Sequence, residues 1–488
     1  MPLSHFGMGL MSFLLLVNWV SEWNWKVKWE RLRNNASFLV LSSFFLVYCI
    51  GLVCADNLPK AFQELVSMLV VFFAPVVVAT SKPLDVRERH FILGSFVLST
   101  FVGCVCSLIY WRTHEVADFR HISIFVDHIR FSLCIVMSIV FSVYFLLNES
   151  SAHYVRIIST CFLILFLLAY MFIAQTLTGI LILMVIAVAY GIYLAVCIHN
   201  GRCRKLFFLS LWVCLLALTS YVTWITYDYF RDRDKVIAER VTPLGNPYTF
   251  EENSMVENGH RVSYYVCDTE LRAAWSLRSD TVLSDLHKLT LVRYLNSKGL
   301  HKDFASVMEL SDEDVRNIEK GIANCAYTGS FGLRRALYPT FFSLSLYKQC
   351  RFLYDSSLLL RVEMWRMSWS VIRDNWFLGV GLGDNKDALK AQCVKTNSPA
   401  FESHKQGCHN QFLTFWMCGG ILVVLYFLFV LFYPFVKMRP KISFLYVAFF
   451  LLIFLSFFTE DTLQSQTGCM LFAIMNPVLL SKLASEDS

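Results

Sequence analysis

Ala174-Gln175-Thr176-Leu177-Thr178-Gly179 is the only polar break in an apolar run of about 44 residues, from about 155 to 198. That length is twice what one helix needs to cross a hydrocarbon core of roughly 30 Å. The break therefore reads as a hairpin between two spans. Nine further apolar runs, near residues 7–20, 38–54, 64–80, 91–111, 131–148, 206–226, 411–436, 442–458 and 466–480, bring the expected crossings to eleven.

Composition agrees with this class. The chain is 56% hydrophobic and only 16% charged, with 43 phenylalanines and a mean hydropathy of +0.52, too apolar for a soluble chain of this length. Short connections that carry Lys and Arg stay in the cytoplasm. Lys26, Lys28, Arg31, Arg33, Lys82, Arg87, Arg89, Arg156, Arg202, Arg204, Lys205, Lys437, Arg439, Lys441 and Lys482 fall on one side; only Lys60, Arg112, Arg120 and Arg130 fall on the other. The hairpin is needed for this asymmetry, since without it the basic clusters flanking residues 155–198 lie on opposite faces. The N-terminus is expected outside and the C-terminus inside. No secretory signal is expected, because the first apolar run has no basic residue before it and a basic block after it.

Three regions follow: an N-terminal membrane region at 1–226 with eight spans, a large outer loop at 227–408, and a C-terminal membrane region at 409–488 with three spans. The loop holds 24 Lys+Arg and 23 Asp+Glu, so 47 of the chain's 80 formal charges lie there with almost no net sign. Disorder predicts low complexity or a strong net charge, whereas Leu271, Trp275 and Leu277, then Leu286, Leu289 and Leu291, then Val315, Ile318 and Ile322 recur at roughly helical spacing. The loop is expected to be a folded, mainly helical domain. Ser311 before Asp312 and Asp314 marks a helix start, and Gly245 with Pro247 marks a turn. The net charge of +6 reports topology and gives no reason to invoke nucleic acid.

Most of the 16 cysteines, such as Cys104, Cys106, Cys134, Cys161 and Cys214, lie in apolar spans as small hydrophobes. Cys267, Cys325, Cys350, Cys393 and Cys408 lie outside, where an oxidising compartment permits disulfides; Cys393 with Cys408 is the favoured pair. No Cys/His spacing matches a zinc site.

Candidate chemistry gathers between Arg361 and Asn410. Arg361-Val362-Glu363-Met364-Trp365 begins an amphipathic helix, Phe377-Leu378-Gly379-Val380-Gly381-Leu382-Gly383-Asp384 follows, and His409-Asn410 opens a span containing Gly419-Gly420. The alternate glycines permit close backbone approach and positive φ, without the strand and helix of a nucleotide fingerprint. A guanidinium donates in pairs to phosphate oxygens. A histidine, with an unperturbed pKa near neutrality, suits proton abstraction from a hydroxyl.

Arg361-x3-Trp365, Gly379-Val380-Gly381-x-Gly383-Asp384 and His409-Asn410 with Gly419-Gly420 together resemble the C-terminal signature of the O-antigen ligase and polymerase superfamily. Leu291-Val292-Arg293-Tyr294-Leu295-Asn296-Ser297-Lys298-Gly299-Leu300 and Thr459-Glu460-Asp461-Thr462-Leu463-Gln464 are similar to ligase-like proteins of Bacteroidetes. The first hundred residues match only in hydropathy. The resemblance implies an all-α polytopic fold of the glycosyltransferase C type and a multi-pass protein of the bacterial inner membrane, embedded in membrane lipids with its active site facing the periplasm. It implies an enzyme that transfers a glycan from undecaprenyl diphosphate onto lipid A core oligosaccharide, without cofactor, nucleotide sugar or catalytic metal. Carried over by position, Arg361 binds the diphosphate and His409 deprotonates or orients the acceptor hydroxyl, with inversion at the anomeric carbon. Asn410, Trp365 and Glu460 join the substrate-binding set.

Two features depart from the family pattern. The family often has a basic residue in a Ser-basic-Thr/Ala-Gly motif, where this chain has Thr176-Leu177-Thr178-Gly179; Arg130, in Asp127-His128-Ile129-Arg130, is the expected substitute. The family typically has twelve crossings. The residues alone also fit blander roles: Arg361 paired with Glu363 or a lipid phosphate, His409 capping the next helix, Arg130 on a headgroup, Glu460 solvated, Trp365 packing. A polymerase joining lipid-linked repeats and an oligosaccharyltransferase acting on protein share the chemistry. A lipid-linked sugar transporter fits less well, because the mid-span positions are nearly uncharged.

Overall fold

The computed structural model describes residues 3–114, 122–148, 154–197, 201–234, 239–328, 333–353, 357–402, 407–437 and 442–484. The chain is an all-α polytopic membrane protein. Its helices fall into two compact units, Met1–Cys197 with Glu363–Ser488, and Ile198–Val362. The first unit contains α1 (His5–Ser21), α2 (Trp25–Asn34), α3 (Ala36–Tyr48), α4 (Leu58–Thr80), α5 (Val86–Thr113), α6 (His128–Asn148), α7 (Tyr154–Ile173) and α8 (Leu177–Cys197). The second contains α9 (Gly201–Phe230), α10 (Asp268–Arg278), α11 (Asp285–Ser297), α12 (Phe304–Glu309), α13 (Asp312–Glu319) and α14 (Leu333–Cys350). After α15 (Ser357–Asp374), the chain completes the first unit with α16 (Asn385–Lys395), α17 (Gln411–Lys437), α18 (Phe444–Thr459) and α19 (Gln466–Ala484).

Every expected apolar run is helical. α4 to α9 and α17 are long and apolar enough to cross a membrane; α1 with α2 passes that test as a bent pair, and α3, α18 and α19 are shorter apolar helices. The hairpin falls at its polar break. Gln175 takes a left-handed φ of +50°, and the Thr176 amide and hydroxyl both donate to Met171 O, at 3.1 and 3.3 Å, closing the last turn of α7. Met171 O, one of the carbonyls left over at the end of a helix, is satisfied in this way.

α4 packs against α3 and α19, and α18 against α6 and α8. Phenylalanine dominates the centre: Phe44, Phe415 and Phe427 meet in tilted and edge-to-face pairs with ring centroids 4.8–5.2 Å apart, and all three are fully buried. α7 and α8 instead show mostly exposed apolar side chains, the surface a lipid-facing helix requires.

In the second unit, Leu271, Trp275, Leu291, Leu295, Val307, Val315 and Ile318 form one core. Ser311 and Asp314 make the expected capping box on α13, and Gly245, at φ +89°, donates its amide to Thr242 O at 2.9 Å in the expected turn. Leu277, Leu286 and Leu289 are exposed rather than core. α11 turns inward only over Thr290–Asn296, so the leucines of its first turns project outward. Four short strands are added: β1 (Thr249–Phe250) pairs with β4 (Tyr264–Val266), and β2 (Val256–Glu257) with β3 (His260–Arg261). Buried Glu257 accepts two hydrogen bonds from Arg293, at 2.8 and 2.9 Å, tying β2 to α11.

The favoured disulfide does not form, for Cys393 and Cys408 are both free and buried. Each is committed to its own packing. Cys408 Sγ lies 3.0 Å from Ser368 Oγ on α15, while Cys393 sits on the buried face of α16.

Candidate functional site

α17 is broken at Gly419-Gly420, where φ and ψ leave the helical region. The segment after α15 enters the break. Val380 N donates to Met417 O at 2.7 Å, and Ile421 N donates to Trp376 O at 3.1 Å, so two backbone groups freed by the interrupted helix find partners. Gly420 has φ +74°, and a Cβ there would sit 1.8 Å from Phe377 O; only glycine fits.

The glycine-rich segment then runs against the α3–α4 connection. Leu382 N donates to Gly51 O at 2.9 Å. A Cβ on Gly381 would meet Cys54 O at 2.5 Å and one on Gly383 would meet Ala61 N at 2.6 Å. The Asp384 carboxylate accepts the Asp56 and Asn57 amides at 2.7 and 3.1 Å. Gly379–Asp384 is thus a strap joining α17 to the start of α4, and it delivers the first turn of α16, with Asn385 and Lys386.

Asp461 organises the entrance to α17. Its carboxylate accepts the amides of His409 and Asn410 at 3.1 and 2.9 Å and the Thr414 hydroxyl at 2.7 Å. Asn410 caps the helix, its Oδ1 accepting from Phe412 N and Leu413 N at 3.0 and 3.2 Å, as an N-cap residue does. His409, with φ +50°, is left with its ring beside Glu460: Nδ1 lies 3.5 Å from Glu460 Oε2, and the carboxylate is only 7% exposed. A carboxylate at Nδ1 fixes the proton there and leaves Nε2 as the basic nitrogen.

His409 and Asp461 line a cleft of about 430 Å³ with Arg130, Asn385, Lys386, Leu389, Gly407, Cys408, Thr414, Met417 and Gln464 on its walls. Arg130, on α6, donates from Nη2 to Asp461 O at 3.2 Å and faces Asp127 at 3.7 Å; its buried Nε has no partner among the described residues. Unpaired buried donors of this kind are uncommon and mark a place for another group. Cys408 is fully desolvated, which pushes its thiol up to about 12, so it is no nucleophile at neutral pH.

The structure therefore brings Arg130 and His409 to one cleft, backed by Asn410 and Glu460. Trp365 lies on α15, with a buried Nε1 lacking a partner among the described residues. Arg361 is on the same helix, four residues earlier and half-buried, in the segment assigned to the other compact unit; it is not among the cleft-lining residues. Glu363, buried beside it in sequence, accepts from Arg366 Nη2 at 3.1 Å and Ser398 Oγ at 2.8 Å. Sequence reasoning missed Asp461 and Lys386. Asp461 stands beside Glu460 in a segment already singled out, and Lys386 follows Asp384 by two positions; the charge next to each motif was the available signal.

Residues 326–428 match the family model for O-antigen ligase. The match starts before α14, includes Arg361, Trp365, the glycine strap, His409 and Asn410, and ends beyond the break in α17. That segment is thus similar to the O-antigen ligase family. No curated protein matches the chain.

Proposed function

We propose that this protein is a membrane glycosyltransferase of the O-antigen ligase type, moving a glycan from undecaprenyl diphosphate onto a hydroxyl of lipid A core oligosaccharide at the outer face of the bacterial inner membrane. The observation that carries the reading is the cleft in which two cations, Arg130 and Lys386, face a histidine backed by a buried carboxylate, partly within the segment that matches the ligase family.

Each group has a task in a single displacement. The acceptor oxygen attacks the anomeric carbon while the bond from that carbon to the diphosphate oxygen breaks. The acceptor proton passes to His409 Nε2, and the electron pair leaves with the diphosphate. Arg130 and Lys386 receive that anion, with the unpartnered Arg130 Nε as a ready donor. Glu460 holds the ring and stabilises the imidazolium that forms. Because the lipid diphosphate is a good leaving group, charge stabilisation and positioning supply most of the rate. Arg361 keeps the diphosphate role that the resemblance gives it, and Trp365 and Asn410 their place near the substrates.

Deletion of the gene tests this. Accumulated full-length lipid-linked polymer with bare core supports the ligase, and core carrying single repeats indicates a polymerase. Arg130→Ala, Arg361→Ala and His409→Ala, each inserted normally, are expected to leave transfer uncomplemented. Restored transfer by both Arg361→Ala and His409→Ala would show that the assigned site is wrong.

A further inference from the structure

α1 and α2 meet at 114°, and the bend is made at Trp23, which takes φ +46°. α2 reads Trp-Lys-Val-Lys-Trp-Glu-Arg-Leu-Arg-Asn. Ten residues give a helix of about 15 Å, half a bilayer core, and four of them are basic, so α2 does not continue the span.

It is fastened across the ends of two other helices. Lys28, only 4% exposed, donates to Trp19 O in the last turn of α1, pairs with Glu22 at 3.4 Å and sits 4.8 and 5.3 Å from the ring centres of Trp19 and Trp25. Arg31 Nη1 donates to Thr80 O, the last residue of α4, at 3.1 Å, and Trp19 Nε1 donates to the Thr80 hydroxyl at 2.6 Å. Cations placed on helix C-termini are favourable electrostatically. Together they set α2 crosswise where α1 and α4 both end, the level at which spans leave the hydrocarbon.

Its other side is uncovered in an unusual way. Trp23, Trp25 and Trp29 are exposed at 75%, 44% and 67%, and Lys26 and Arg33 are exposed beside them. At about 100° per residue, Lys26 and Arg33 share one azimuth of the helix, adjacent to the one shared by Trp25 and Trp29. A water-facing helix has no use for three open indoles. Glu30 is exposed next to the two cations, so that face carries two positive charges and one negative, and an apolar partner surface would bury all three. A headgroup layer accepts both, since indoles favour the interface and basic side chains favour anionic lipid phosphates.

We propose that α2 is an in-plane helix that binds anionic glycerophospholipid, with Trp25 and Trp29 set at the headgroup boundary and Lys26 and Arg33 on the phosphates. This stands independently of the glycosyl-transfer reading.

The test uses the full-length purified chain in mixed phosphatidylglycerol–phosphatidylcholine nanodiscs, with lipid retained on release measured by native mass spectrometry. The chain is expected to retain phosphatidylglycerol preferentially, and brominated phosphatidylglycerol is expected to quench its tryptophan emission. Each basic side chain at the surface contributes about fivefold, so Lys26→Ala with Arg33→Ala should lower preferential retention roughly 25-fold, with unchanged monodispersity. Lys395→Ala, an exposed charge on α16, should leave it unchanged. Trp29→Leu should remove part of the quenching. Equal retention of both lipids, an unaffected double variant, or quenching indifferent to Trp29 overturns the proposal; binding of a soluble acidic protein at the same residues in place of lipid does so too.

Discussion

Glu460 Oε2 lies 3.5 Å from His409 Nδ1, with the two side chains 7% and 18% exposed. In so enclosed a place a carboxylate does more than raise local charge: it decides which ring nitrogen carries the proton and how the ring is turned. His409→Ala is expected to lower glycan transfer about 10²- to 10⁴-fold, the usual loss of a general base. Glu460→Gln acts through the histidine by removing the group that fixes its tautomer and is expected to cost up to about 10⁴-fold, in kcat with the donor KM unchanged. Steady-state transfer with purified lipid-linked donor reads both; a Glu460→Gln effect confined to KM would sink the positioning role.

Asp461 holds two amides and a hydroxyl at the start of α17. Asp461→Asn keeps the shape but replaces one accepting oxygen with a donor, so it leaves a buried group unpaired, a loss of about 1–3 kcal/mol. A lower thermal midpoint for the detergent-solubilised chain, together with reduced transfer, is the expected result.

Gly420→Ala places a methyl 1.8 Å from Phe377 O at φ +74°. Strain from the left-handed backbone and from overpacking together predict a destabilisation of about 2–4 kcal/mol. Reduced yield of monodisperse protein is the readout, and Gly94→Ala, whose Cβ would meet nothing within 4 Å, is the control.

Lys302 is 2% exposed, donating to Asn296 Oδ1 at 2.8 Å, and burial lowers its pKa from 10.5 to about 8. Between those values the unfolded chain holds a proton that the folded chain has released, so stability contributed at this site rises with pH from about 8 to about 10.5. Below pH 8 both forms are charged and the contribution is flat at its least favourable value. Unfolding of the full chain followed by tryptophan fluorescence from pH 7 to 10 should show a less steep rise in Lys302→Met than in the parent; equal slopes would refute the assignment.

The spans were legible because a helix in lipid must be apolar over a fixed length, and that constraint is written locally. Residues 155–198 divide where Gln175 interrupts them, and each of the ten apolar runs is helical over most of its described residues. Exposure in the second unit was less legible: Leu286 and Leu289 have helical spacing yet face outward, because spacing defines a face without saying which neighbour covers it. The cysteines show the same limit, since Cys393 and Cys408 suit a disulfide by compartment but pack separately.

By itself the sequence determined the membrane class, the helices, the glycine strap and the neighbourhood of His409, all properties of residues close along the chain. Tertiary structure alone decided that Asp461 carries the entrance of α17, that Glu460 backs His409, and that Arg130 and Lys386 meet at one cleft. Those groups come from positions 130, 386, 409 and 460–461, and no periodicity links them. Only the break at Gly419-Gly420, and the strap that fills it, brings α16 beside α17 and so closes the cleft.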